Sequence, residues 1–206
     1  MRLVPVEGAN ATDASAELAT ELAAQLLALR AANARLREEN EELRGLALVD
    51  PLTKLYNRRG LDTELERALA QSRRSTAPVS LLLVDLDGLK QVNDQQGHPE
   101  GDRVLRAVGA VLRQSVRSTD SAARLGGDEF AVVMPTTDLD GAKVVAERIR
   151  MAIAALGLPG VTASIGVAHF GGGAAEPDTM TQLVSAADGA LYHAKRTGKN
   201  KVVVTS

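Results

Sequence analysis

Two glycines and two acids sit between two apolar runs: Ala122-Ala123-Arg124-Leu125, then Gly126-Gly127-Asp128-Glu129, then Phe130-Ala131-Val132-Val133-Met134. Glycine takes positive φ without steric cost, so a glycine pair permits a sharp reversal or a close backbone approach to a ligand. The pattern predicts a β-hairpin with carboxylates at its tip, a suitable place to hold a metal ion beside a polyphosphate. A plain hairpin with solvated acids is the alternative, and the rest of the chain argues against it.

Helical and strand patterns alternate around this hairpin. Helices are predicted over about 57–73, 88–95, 100–116, 138–156 and 179–196. Strands are predicted over Val79–Leu86, within the hairpin at 121–134, over 161–168, and over Lys201–Thr205. The central order is β-α-β-β-α-β, a ferredoxin-like, palm-type α/β (α+β) core with extra helices. In that topology the first strand neighbours the hairpin, so Asp85 at the strand's end is expected close to Asp128. The chain is 45% hydrophobic but only 2% aromatic, so the core must be mostly Leu, Val, Ile and Ala.

The same composition narrows function. A formal net charge of −2 advertises no nucleic-acid surface, and the absence of cysteine excludes disulfides and thiolate metal sites. The N-terminus lacks an apolar signal core. The strongest apolar strand signal, Val79–Val84, is far shorter than the about 20 residues needed to cross a bilayer. A cytoplasmic protein with no membrane partner is expected.

Residues 1–13 read as a disordered lead and 14–49 as a dimerisation helix. Leu22, Leu29, Leu36 and Leu43 recur at heptad spacing and place Leu26, Asn33, Asn40 and Ala47 at the alternate seam position. This is a coiled-coil pattern, and Asn at the a position favours one register and two strands at some cost in stability. A single amphipathic helix packed on its own domain is the other reading. The helix should stop near Asp50-Pro51, since the residue before proline is pushed out of the α region. Asp50, Thr53 and Asn57 suit turn and capping chemistry.

The first strand, Val79-Ser80-Leu81-Leu82-Leu83-Val84, is apolar enough to be buried and runs into Asp85-Leu86-Asp87-Gly88-Leu89-Lys90. An acid there is costly unless paired. Asp85 and Asp128, with Glu129 and Asp87 nearby, would repel one another without cations. Hard carboxylate oxygens select Mg²⁺ or Mn²⁺, and Mg²⁺ is typically held by one or two carboxylates plus substrate phosphates.

Taken together, the hairpin signature, the Asp50-Pro51-Leu52-Thr53 turn and these spacings resemble the GGDEF family of diguanylate cyclases, from about Val49 to Val204. The resemblance implies metal-dependent condensation of two GTP into cyclic di-GMP across a homodimer. It implies that Asp85, Asp128 and the carbonyl of Leu86 bind the metal. A two-metal site with ions roughly 3.5–4 Å apart would stabilise both attacking and leaving oxygens. Asp128 is also assigned the ribose 3′-OH proton, although direct metal activation of the hydroxyl is an alternative. Glu129 orients the site or binds the second ion. Asn93 and Asp102 fall at the offsets of the guanine pair, and their chemistry suits it, since a carboxylate accepts from guanine N1–H and the 2-amino group and adenine offers neither; His98 falls at a position near substrate that also suits a loop role. Lys90, Lys195 and Lys199 match phosphate contacts, while the last two also suit helix C-terminal capping. Gly88 departs from the aromatic residue many members carry, which would loosen packing around the phosphates. Arg117 and Asp120 match a product-inhibition site, with Arg148 a secondary contact from a neighbouring domain; a turn capped by Asp120 is the plainer account. A catalytically silent cyclic di-GMP receptor using Arg117 and Asp120 is the main competing function. A cyclase of relaxed base choice is another, against which Asp102 speaks.

Overall fold

The computed structural model describes residues 18, 20–35, 48–171 and 179–205. The chain divides into two units, Met1–Ala47 and Leu48–Ser206. In the first, residues 20–35 form helix α1. Leu22, Leu26 and Leu29 are exposed along it, at 52%, 51% and 65%. The predicted lead at 1–13 and the seam residues Leu36, Asn40, Leu43 and Ala47 lie outside the described residues.

The second unit runs α2 (Arg58–Ser75), β1 (Val79–Asp87), α3 (Leu89–Gln96), α4 (His98–Ser115), β2 (Ser121–Gly126), β3 (Glu129–Pro135), α5 (Leu139–Ala154), β4 (Thr162–Phe170), α6 (Thr179–Arg196) and β5 (Val202–Thr205). The sheet order is β2-β3-β1-β4-β5. β1 is antiparallel to both β3 and β4, and β5 adds to β4 in parallel. The expected βαββαβ core is therefore present with β5 as an added edge, and every expected element lies within about two residues of its place.

β1 is buried at every position because helices cover both faces of the sheet. Leu82, Val84 and Leu86 alternate onto one face with Phe130, Val132 and Ile165, under Val104, Val108 and Leu112 of α4 and Ile149 and Ile153 of α5. Leu81 and Leu83 point the other way, toward Leu65 and Leu69 of α2 and Leu183, Ala187 and Leu191 of α6. The period-two alternation of strand side chains divides one apolar run between two cores.

The turn at the start of the second unit is held by local chemistry. Asp50 Oδ1 accepts from the Thr53 backbone N–H at 2.8 Å and from Thr53 Oγ1 at 2.6 Å. Asn57 caps α2, its Oδ1 accepting from the Gly60 N–H at 3.0 Å. Tyr56 bridges Val49 on one side and Ala123 of β2 on the other, stitching this turn to the sheet edge.

Candidate active site

The register of β1 against β3 sets Asp85 opposite Glu129. The Leu86 N–H donates to the Asp128 carbonyl at 3.1 Å, so the end of β1 and the tip of the hairpin are backbone neighbours. Gly126 and Gly127 have φ of 147° and 52°, and the β2–β3 register shifts between Arg124 and Gly126. Only glycine adopts these angles without strain. A Cβ on either would meet nothing within 4 Å, so the outside of the turn is open to a ligand.

Arg124 closes the back of this turn. Its Nε and Nη2 donate to the Gly127 carbonyl at 3.2 and 2.8 Å, and its Nη1 lies 3.5 Å from Asp50 Oδ2. Both side chains are largely buried, at 14% and 17% exposure. Burial alone would raise the Asp50 carboxyl, but the two Thr53 hydrogen bonds and the Arg124 charge outweigh it and hold Asp50 below its ordinary value. Sequence reading missed Arg124, which links the Gly127 carbonyl three residues on to a carboxylate 74 residues away.

Asp85 is 7% exposed, and Lys195 of α6 places its Nζ 2.6 Å from Asp85 Oδ2. Burial pushes the Asp85 carboxyl up; the Lys195 hydrogen bond and charge oppose this, while Asp128 and Asp87 add to it. Burial pulls Lys195 down, but the Asp85 hydrogen bond and charge, with Asp128 and Glu129, leave it above its ordinary value. The site thus demands positive charge, and the Lys195 ammonium supplies part of it. Among the described residues no three His, Cys, Asp or Glu side chains converge on one point. Two carboxylates and a carbonyl in an open turn fit Mg²⁺ or Mn²⁺, which keep waters and bind substrate phosphates rather than needing an all-protein cage.

Asp87 lies near this acid set, as expected, and its charge adds to that of Asp128 in raising Asp85, but its own oxygens are taken by other partners. It accepts from Thr162 Oγ1 at 2.7 Å and Ser164 Oγ at 2.9 Å, both on β4, and from the Asn200 N–H at 3.2 Å. Glu129 makes an exposed pair with Arg58 at 3.8 Å, a contact of little worth in water.

Beside the hairpin tip lies a cavity of about 460 Å³ lined by Lys90, Asn93, His98, Asp102, Arg124 and Asp128. The residues expected to read guanine and the acid expected to do chemistry share one cleft. Asp102 makes an exposed pair with Arg106, 3.5 Å away on the next turn of α4. Asn93 is packed down on α4: a Cβ on Gly101 would fall 1.9 Å from its Oδ1 and 2.9 Å from its Cγ. The glycine leaves room for the carboxamide. Gly88 has a backbone reason of its own, with φ 82° and a Cβ position 2.2 Å from the Gly160 carbonyl. The aromatic residue expected from the resemblance would clash here, so Gly88 is matched to the local backbone rather than a gap in the packing.

Lys199 lies in the turn after α6, its N–H bonded to the Ala194 carbonyl at 3.1 Å. The capping geometry expected for this segment is present, while the Lys195 side chain reaches into the site. Across the domain, Asp120 Oδ2 accepts from the Arg117 N–H at 2.9 Å, so Asp120 does cap its turn. A cavity of about 400 Å³ opens beside it, lined by Lys54, Tyr56, Arg113, Arg117 and Asp120. Arg113, another residue unread in the sequence, donates to the Thr53 carbonyl at 2.6 Å. Arg148 donates to the Ser115 carbonyl at 2.5 Å and closes the C-terminal end of α4.

The domain profile described as "Diguanylate cyclase, GGDEF domain" matches residues 47–201. Diguanylate cyclase DgcP of Pseudomonas aeruginosa is 39% identical over 170 residues, 80% of this chain and 25% of that protein. Diguanylate cyclase DosC of Escherichia coli is 41% identical over 175 residues, 81% of this chain and 37% of that one. The chain therefore spans well under half the length of these relatives. The crystal structure of the coiled coil and GGDEF domain of DgcB from Caulobacter crescentus, in complex with c-di-GMP, aligns with TM-score 0.72 at 33% identity, covering 89% of this chain and 99% of that one. With a matching profile over most of its length and the signature hairpin seated against the acidic end of β1, this chain belongs to the GGDEF diguanylate cyclase family.

Proposed function

We propose that the chain condenses two GTP into cyclic di-GMP and two pyrophosphates, each 3′-oxygen displacing pyrophosphate from the α-phosphorus of the other nucleotide. The observation that carries this is the single cleft in which Asn93 and Asp102 stand beside Lys90 and Asp128. Asp102 accepts from guanine N1–H and the 2-amino group, and Asn93 bonds the ring edge. Lys90, Lys195 and Lys199 neutralise the triphosphate. Asp85, Asp128 and the Leu86 carbonyl would hold Mg²⁺ or Mn²⁺, which when bound polarises the phosphate and stabilises the leaving oxygen. Asp128 takes the 3′-OH proton, Glu129 orients the tip of the hairpin, and Arg124 keeps the turn in shape through the Gly127 carbonyl. His98 borders the nucleotide.

One domain holds one GTP, so two must face each other. The exposed Leu22, Leu26 and Leu29 of α1 supply the seam of a parallel coiled coil that raises the effective concentration of the second domain. The related DgcB structure, which contains a coiled coil, supports this reading. Product bound by Arg117 and Asp120, with Arg148 of a neighbouring domain, holds the two sites apart. This chemistry belongs in the cytoplasm, where GTP and Mg²⁺ are found, and among the described residues no helix is long and apolar enough to cross a membrane.

Incubation with GTP and Mg²⁺, followed by mass-resolved chromatography, tests the reaction. The parent should yield cyclic di-GMP and Asp128→Ala none. A dimeric parent that makes no product but binds cyclic di-GMP would instead be a receptor. For the inhibitory site, Arg117→Ala should relieve inhibition by added product; unchanged inhibition would remove that assignment.

A further inference from the structure

The acid two residues beyond Asp85 has a separate task. Asp87 is 7% exposed, and a buried carboxylate must be met by donors or a cation. Both its oxygens are occupied. Oδ2 accepts from Thr162 Oγ1 and from the Asn200 N–H, and Oδ1 from Ser164 Oγ. Two of these donors are on β4. The third belongs to the turn between α6 and β5.

That turn is unusual in its backbone. Gly198, Lys199 and Asn200 have φ of 115°, 59° and 45°, three consecutive residues in the left-handed region, two of them not glycine. Such conformations persist only where the surroundings over-determine them. Asp87 holds Asn200 from the sheet side. From the opposite side Arg150 of α5 donates through Nη1 to Asn200 Oδ1 at 2.9 Å, and is itself steadied by Glu147 at 2.8 Å. The next residue feeds β5, the Ile165 N–H donating to the Lys201 carbonyl at 2.9 Å. Asn200 is held by two partners, one residue after Lys199 and five after Lys195.

We propose that Asp87 and Arg150 are positioning residues that clamp the Lys199–Asn200 turn, and so set the affinity of the site for the β- and γ-phosphates rather than for guanine. The proposal rests on the cyclase reading above. Asp87 does not act as a metal ligand in this account: it places the cationic turn, while Asp85 takes the cation.

The test compares two probes that share guanine and differ in phosphate: GMP, and a GTP analogue with a methylene bridge between the α- and β-phosphorus atoms, which cannot release pyrophosphate. Both are titrated with Mg²⁺ by calorimetry. Asp87→Ala should weaken the analogue about tenfold, the effect of losing a charge-assisted hydrogen bond, and leave GMP within about twofold. Arg150→Ala touches the turn from the surface without hollowing the core, and should lower the same ratio by a smaller factor; it decides the matter if Asp87→Ala does not fold. Asp87→Asn should recover most of the ratio, because an amide oxygen can accept from the Asn200 N–H while its nitrogen donates to Ser164 Oγ. An unchanged ratio in both Asp87→Ala and Arg150→Ala, or equal loss of both probes, overturns the clamp. A parent that makes no cyclic di-GMP and prefers neither probe sinks the cyclase reading instead, so the two failures are told apart.

Discussion

Replacing Gly101 with alanine should separate stability from recognition, and the structure supplies the sizes. Gly101 is helical, in the first turns of α4, where Gly→Ala ordinarily gains about 0.5–1 kcal/mol through backbone entropy. The added Cβ would sit 1.9 Å from Asn93 Oδ1. Ordinary contact begins near 3.4 Å, so the carboxamide must move by about 1.5 Å, more than a hydrogen bond tolerates before it weakens steeply. The side chain can rotate away at little cost to the fold, but the bond to guanine proposed for it is lost. One such bond is worth about 1–1.5 kcal/mol, or roughly tenfold in affinity. Thermal unfolding should therefore show an unchanged or raised Tm, while the KM for GTP rises about tenfold. The decisive measurement is a double-mutant cycle with Asn93→Ala. If the effect runs through the carboxamide, Gly101→Ala should cost nothing further in that background. Additive losses in the double mutant, or a Gly101→Ala protein with parental KM, would refute the reasoning.

Lys195→Gln should tighten Mn²⁺ binding in the absence of nucleotide a few-fold, since the ammonium 2.6 Å from Asp85 no longer competes, while the KM for GTP rises; calorimetry and steady-state kinetics read both, and neither changing would refute the pairing. Arg124→Ala should lower kcat about tenfold or more with a smaller effect on KM, because the largest change is at the Gly127 carbonyl it releases, although Arg124 also lines the cleft; a pure KM effect would place Arg124 with the substrate instead. Asp50 is held below its ordinary value of 3.8, so its stabilising contribution is present above that value and is lost as pH falls through the lower folded one; Asp50→Asn should flatten that acid limb of the unfolding curve, and an unaltered limb would exclude Asp50 as its source. Gly88→Ala should destabilise by about 2 kcal/mol or more, as a left-handed alanine whose Cβ meets the Gly160 carbonyl, and a parental Tm would show that the loop relaxes freely.

The parts of the site built from one stretch of chain were legible in the sequence. A glycine pair between two apolar runs prescribes a hairpin, and the continuous apolar run before Asp85 prescribes a buried central strand. Asn93 and Asp102 could be singled out because their offsets from Asp85 match the family's guanine pair and their side chains suit a guanine edge. Asp50, Thr53 and Asn57 read as caps because a cap and its partner are three residues apart.

What the sequence left open was decided by contacts across the fold. Asp85 and Asp87 are alike in the sequence, two acids either side of a leucine. Successive side chains of a strand point to opposite faces, but these two share a face, so alternation does not distinguish them. Their neighbours do: Asp85 meets Lys195 of α6 and the hairpin tip, while Asp87 meets Thr162 and Ser164 of β4 and the turn at Asn200. Arg124 and Gly88 were likewise opaque, because one joins the Gly127 carbonyl to a carboxylate 74 residues earlier and the other is fitted to a carbonyl at Gly160. Residue type and local spacing determine which elements form and which groups are chemically able to act. Which of two identical carboxylates meets the Lys195 ammonium and which accepts from the Asn200 N–H depends on partners that only the folded sheet brings within hydrogen-bond range.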